Sequence, residues 1–297
     1  MRVIMEDRMA NKKKANGFRS AIREGFALWV LCVMAISAAH AQGEKTQAYR
    51  RVEERFHNIG SVAQAVKKVK QGKFSAVHVE EIAEAGAVEA IPALEEQFAR
   101  SLEPNASAEI DPGNKGEIAS ALVRLGDNGQ VYWDFLENPA RTAVESGAPF
   151  PIRFDAQGKI MPYQYTPELL EWAKSRSISP EDAAQIAVYD MPGKVLLLAE
   201  TGDPRGLPLL RQAMSSPNYM IQAEAAKGLA KLQDKESIPM IIGACQRAPV
   251  DMAAVIAQAL IFFDDPQAQS AAEKYIPNDM LKALREVRHE PVNDPFQ

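Results

Sequence analysis

The stretch Ala223-Glu-Ala-Ala-Lys-Gly-Leu-Ala-Lys-Leu-Gln-Asp234 decides the fold, because the chain writes it again. At an offset of 31 residues the matching positions carry Ala254, Ala257, Leu260, Phe263 and Asp265. Like residue types at a constant offset mark an internal repeat. The segments that follow agree: Leu207, Leu210 and Met214 become Ile238, Ile241 and Cys245, and the last two continue as Ala272 and Ile276. Pro208 recurs as Pro239, and Asp203 as Asp234 and Asp265. An earlier copy lies at an offset of 116, where Ile82-Ala-Glu-Ala-Gly86 answers Leu198-Ala-Glu-Thr-Gly202 and Ile91-Pro92, Leu94 and Phe98 answer Leu207-Pro208, Leu210 and Met214. A further fragment, Ala119, Leu122, Leu125, Gly126 and Asp127, aligns with Ala226 to Asp234 at an offset of 107, whereas Val131 to Leu136 fits poorly.

Within each unit the apolar positions step by three and four, the one-face pattern of an amphipathic helix. Asp203-Pro204 and Asp265-Pro266 are helix starts. The aspartate accepts from free amide hydrogens, and proline at the first helical position has no amide hydrogen to leave unpaired. Ser216-Pro217-Asn218 and Ala248-Pro249 break the chain between helices. Each unit is therefore two short antiparallel helices, with alanines on the first allowing close approach to the next pair. The expected fold is all-α: a right-handed α-solenoid of stacked antiparallel helix pairs with a small hairpin-containing insertion.

This pattern resembles the HEAT repeat family, in particular the short repeats of phycobilisome lyases. The resemblance rests on Gly202-Asp-Pro-Arg-Gly-Leu-Pro-Leu-Leu210 and Ala223-Glu-Ala-Ala-Lys-Gly-Leu229, and covers 74–138 and 181–276. Many such repeats carry Val-Arg at the start of the first helix. Ile221-Gln222 and Met252-Ala253 stand there instead, so the family's arginine ladder is not carried over.

Outside the repeats, residues 1–41 read as an export signal. Seven Lys or Arg residues precede a 14-residue apolar run, Phe26 to Ala39, and Ala39-His40-Ala41 stands before Gln42. A basic region, a short apolar region and an A-x-A site are the layout of a secretory signal peptide. A retained span would need about 20 apolar residues. Cleavage between Ala41 and Gln42 is the expectation, placing the protein in the periplasm or outside the cell, with Met1, Met5 and Met9 as alternative starts. Losing seven basic and three acidic residues takes the chain's 34 and 39 to 27 and 36, a net of −9 against −5 for the whole. The acidic balance argues against general nucleic-acid binding, and no basic amphipathic helix supports membrane attachment after cleavage. At 297 residues, 46% hydrophobic and 25% charged, the chain can bury a full core.

The organisation read from these signals is a signal peptide at 1–41, a helical leader at 42–73, repeats at 74–138, an aromatic-rich insertion at 139–180, repeats at 181–276, and a capping helix with tail at 277–297. Ser61 is a candidate cap for a helix broken near Gly72, and Glu103 to Gly116 reads as a loop. In the insertion, Phe150 to Met161 reads as a hairpin with Gly158 in its turn, followed by capped helices at Thr166-Pro167 and Ser179-Pro180. Between 131 and 172 lie 8 of the 21 aromatics, including Trp133, Phe154, Tyr163, Tyr165 and Trp172. Two readings stand for them: a partner-contact patch, since Trp and Tyr dominate hot spots, or rings that pack the insertion onto the repeats, the favoured one.

No catalytic, cofactor or metal site is expected. His57, His78 and His289 lack zinc spacing, and His78-Val-Glu80-Glu81 reads as a solvated helix face. Neither a G-x-S-x-G nor a phosphate-cradling glycine loop is present. Cys245, at the repeat position of Met214 and Ile276, reads as a core residue. The function expected is an exported, non-enzymatic scaffold or adaptor that binds a protein or peptide, its oligomeric state open. Two alternatives remain: a lyase-like or chromophore-handling enzyme, by analogy with the repeat family, and a self-associating envelope protein.

Overall fold

The computed structural model describes residues 62–102, 114–127 and 129–289. The signal segment with its cleavage residues Ala39, Ala41 and Gln42, most of the 103–116 loop and the last eight residues lie outside them, as does the side chain of Tyr163. The elements are α1 (Val62–Lys70), α2 (Ala76–Glu84), α3 (Ile91–Leu102), α4 (Asn114–Arg124), α5 (Gln130–Glu145), β1 (Ile152–Phe154), β2 (Ile160–Tyr165), α6 (Pro167–Ser175), α7 (Pro180–Gln185), α8 (Met191–Glu200), α9 (Leu207–Ala213), α10 (Tyr219–Lys231), α11 (Ile238–Arg247), α12 (Val250–Ala257), α13 (Pro266–Tyr275) and α14 (Asn278–His289). Five residues in a wide turn, Ile186–Asp190, join α7 to α8.

The helices form two layers. In the first, α2 packs on α4, α4 on α8, α8 on α10 and α10 on α12. In the second, α1 neighbours α3, α5 neighbours α9, and α11 neighbours α13. Although α6, α7 and the hairpin separate α5 from α8 in sequence, both α4 and α5 pack directly on α8, so the stack continues past the insertion. The spine between the layers is made of the residues that recur. Leu122, Leu229 and Leu260 are all 0% exposed, and each such side chain contributes about 1.5–3 kcal/mol by leaving water.

Local chemistry sets the helix ends. Asp203, Asn218 and Asp265 accept from the amides of Arg205, Met220 and Gln267 at 2.9, 3.0 and 2.8 Å. Thr166 and Ser179 cap α6 and α7 by accepting from Leu169 and Asp182. Past α2, α4, α8 and α10 the chain turns through a left-handed residue at equivalent positions: Gly86, Gly126 and Gly202 at φ +63, +90 and +62°, and Gln233 at +52°. Gln233 lacks glycine's freedom, and its side chain is bound on both sides. The amide nitrogen donates to the Phe262 carbonyl at 2.7 Å and the amide oxygen accepts from Asp264 N at 3.0 Å, joining one repeat to the next.

Two boundaries differ from the sequence reading. The insertion does not begin at Pro139, which lies inside α5. An internal proline costs a helix about 3 kcal/mol, but α5 buries Trp133, Leu136, Ala140, Ala143 and Val144 around it, and that face outweighs the missing hydrogen bond. The first repeat pair also starts earlier than residue 74, because α1 buries Ala65, Val66 and Val69 and packs on α2 and α3. The hairpin forms where expected, β1 pairing antiparallel with β2 and Gly158 turning at φ +76°.

Candidate functional site

The aromatic residues of the insertion and of α5 before it are the candidates the sequence nominates. Trp133 on α5 is 3% exposed and Trp172 on α6 is 9% exposed. The Trp133 indole donates to Glu137 Oε2 at 2.6 Å, and the Arg205 guanidinium lies 4.3 Å from its ring centre. Trp172 packs with Leu169, Ala173, Ala183 and Ala187, with partly buried Tyr165 beside them. Phe154 stacks on Phe150 at 5.4 Å and meets Tyr219 edge-on at 6.2 Å. Phe150 in turn is buried with Met220 and Met252, at the starts of α10 and α12. The contact reading is corrected for the two tryptophans: a ring already inside the molecule has no face left for a partner. Phe150 and Phe154 fasten the hairpin to the stack, Trp172 packs the helical half of the insertion, and Trp133 belongs to the core of the stack itself.

Polar contacts complete the fastening. Asp251, in the first turn of α12, accepts from Lys159 Nζ at 2.7 Å and from the Ile160 amide at 3.0 Å. At the hairpin tip, a Cβ on Gly158 would come within 2.9 Å of the Val250 backbone nitrogen. Buried Asn218 donates to the Ala187 carbonyl at 2.6 Å, tying the turn before α8 to the start of α10.

A second group of residues emerges where the first-layer helices end. The last residues of α2, α4, α8 and α10 are Glu84, Arg124, Glu200 and Lys231, an alternation of acid and base along the stack. Glu80 and Glu224 stand a turn or more back on α2 and α10. Arg124 Nη1 donates to both Glu80 oxygens at 2.7 Å. Lys231 Nζ donates to the backbone carbonyl of Glu200 at 2.6 Å, and Lys227 pairs with buried Glu224 at 3.0 Å. Burial, then the negative charge of Glu80, pushes the Glu200 carboxyl up to about 7. The same two causes raise Glu84. This charged seam spans four helices and both repeat blocks.

The sequence carries a signal for it. Glu84 and Glu200 match at the offset of 116, and Arg124 and Lys231 at 107. Those charges gain meaning only once the helix ends are seen to be neighbours. A smaller network links the next turn, where Arg211 donates to Asp234 at 2.5 and 2.8 Å and to Glu236 at 3.0 Å. These bonds hold the Asp234 carboxyl below its ordinary range.

The remaining nominated chemistry resolves as structure. His78 Nδ1 accepts from the Ser75 amide at 3.1 Å, helping to cap α2. Cys245 is 2% exposed, and burial pushes its thiol up to about 12. Among the described residues, no group of three or more His, Cys, Asp and Glu side chains is placed to hold a metal ion, and no helix is long and apolar enough to cross a membrane.

No curated protein and no solved structure matches the chain. A family model does: the one for HEAT repeats matches residues 194–261, from within α8 through the turn that follows α12. That stretch holds Leu229 and Leu260 of the spine and one end of the charged seam, and its helices stack in pairs, as the similarity to HEAT repeats over residues 194–261 leads one to expect.

Proposed function

We propose that the chain is an exported, non-catalytic scaffold or adaptor that holds a protein or peptide partner against its stacked helices. HEAT repeats generally serve protein–protein scaffolding, and their extended surface acts by shape and charge rather than by reactivity. One observation carries the reading: the first-layer helices set the ends of α2, α4, α8 and α10 side by side, so that a single edge offers alternating charges from four helices. Such an edge suits a partner with charges of matching spacing. The 31-residue offset supports the short, phycobilisome-lyase-type class of repeat. Export is supported by the basic leader, the apolar run and Ala39-His40-Ala41 ahead of Gln42.

Affinity capture from an envelope or secreted fraction tests the role when run with two baits, the parent chain and a folded variant carrying Glu84→Lys and Glu200→Lys. The proposal expects a saturable protein partner retained by the parent and lost by the variant. Equal capture by both would remove the seam from the reading, and turnover of a small substrate would remove the non-catalytic role. Sequencing of the exported product should begin at Gln42; an uncut leader would contradict the export assignment.

A further inference from the structure

Glu200 occupies an unfavourable place for a carboxylate. It is the last residue of α8, at the negative end of the helix dipole, and it is partly buried. The cations nearby are committed elsewhere. Arg124 on α4 gives its Nη1 to both oxygens of Glu80, and Lys231 on α10 binds the main-chain oxygen of Glu200 rather than its side chain. Among the described residues the Glu200 carboxylate has no hydrogen-bond or ion-pair partner. Facing it are Glu80 from α2, Arg124 from α4, and Glu224 and Lys231 from α10, with Lys227 drawn to Glu224, while Glu84 of α2 faces the same Glu80, Arg124 and Lys231. A carboxylate so placed is stable neutral and strained when ionised, since desolvation and like charges both oppose its charge.

We propose that Glu200 makes the seam of α2, α4, α8 and α10 a proton-operated joint: neutral, it lets the four helix ends close together, and ionised, it pushes them apart. The joint sits where the 74–138 repeats meet the 181–276 repeats, so its state sets how firmly the two blocks hold to each other. The raised titration of Glu200, to about 7, puts the change near neutral pH.

Two measurements on the full chain test the joint. Carboxyl-carbon NMR with labelled glutamate should show Glu200 titrating near 7, against 4.5 for an ordinary glutamate. Hydrogen exchange, corrected for the intrinsic effect of pH, should show the last turns of α2 and α8 losing about tenfold protection between pH 5.5 and 8. Glu200→Gln should abolish that loss while keeping the parent's protection at pH 5.5. Glu80→Gln should move the Glu200 midpoint downward, because it removes a like charge and frees Arg124. An ordinary midpoint, a midpoint moving upward in Glu80→Gln, or an unchanged loss in Glu200→Gln would each overturn the proposal.

Discussion

Gly228 shows how little space separates α8 from α10. A Cβ there would lie 2.7 Å from Ala199 Cβ and 3.0 Å from Ala199 Cα. In an isolated helix Gly→Ala is favourable by about 1 kcal/mol, but overpacking a core costs about 1–3 kcal/mol. Because backbone stands in the way, the packing cost wins. Gly228→Ala should therefore destabilise the protein by about 1–2 kcal/mol, read from the urea midpoint; a stabilised variant would mean that α8 and α10 are not in this contact. Leu229, fully buried beside it, should cost about 2–5 kcal/mol on replacement by alanine. At this scale the sequence was legible where chemistry is local. Asp203 and Asp265 announce their caps, and Leu229 and Leu260 announce their burial by recurring. The left-handed Gln233 was hidden, because its conformation is held by Phe262 and Asp264, residues of the next repeat.

Among the elements, the insertion has the most to distinguish. Its hairpin lies on the starts of α10 and α12, and Asp251 supplies the polar anchor. Asp251→Ala leaves the Ile160 amide without that acceptor, a loss of about 1–2 kcal/mol confined to the hairpin. Trypsin should then cut at Lys159 several times faster while the melting temperature barely changes. Unaltered cutting would show that the aromatic contacts alone hold the hairpin. Trp172→Ala belongs to the other half of the insertion, where the ring packs with α7. It should cost about 3–5 kcal/mol and lower the melting temperature; loss of partner binding at unchanged stability would restore the contact reading for this ring. The hairpin could be read from Gly158 and the strand-forming residues around it. The helix through Pro139 could not, because the proline is tolerated only for the face α5 buries against α8 and α4, and no local pattern shows which helices those will be.

For the whole molecule, charge and stacking act together. The Arg211 bonds keep Asp234 ionised, and Arg205 does the same for Asp203, below the usual carboxylate value of 3.8. Their stabilisation is complete above that value and is lost as acid protonates them. Glu200 has the opposite sign: its folded form holds the proton more tightly, so stability falls as pH rises from 4.5 toward about 7. With the exposed part of the group allowed for, that loss is about 1–2 kcal/mol. Urea midpoints at pH 3, 5 and 8 should thus be highest at 5, and Glu200→Gln should flatten the decline between 5 and 8. The stack itself was legible because a repeat states its own packing: the residues that recur are the ones that face the neighbouring pair. The seam was not, because a charge at a helix end gains its meaning from helices dozens of residues away. Native-state hydrogen exchange across 191–262 tests the central claim most directly. The account predicts protected amides within each helix, with the slowest exchange around Leu229 on α10 and around Leu260 in the tight turn that follows α12. Rapid exchange at those two leucines, or protection alternating residue by residue as in a strand, would contradict it.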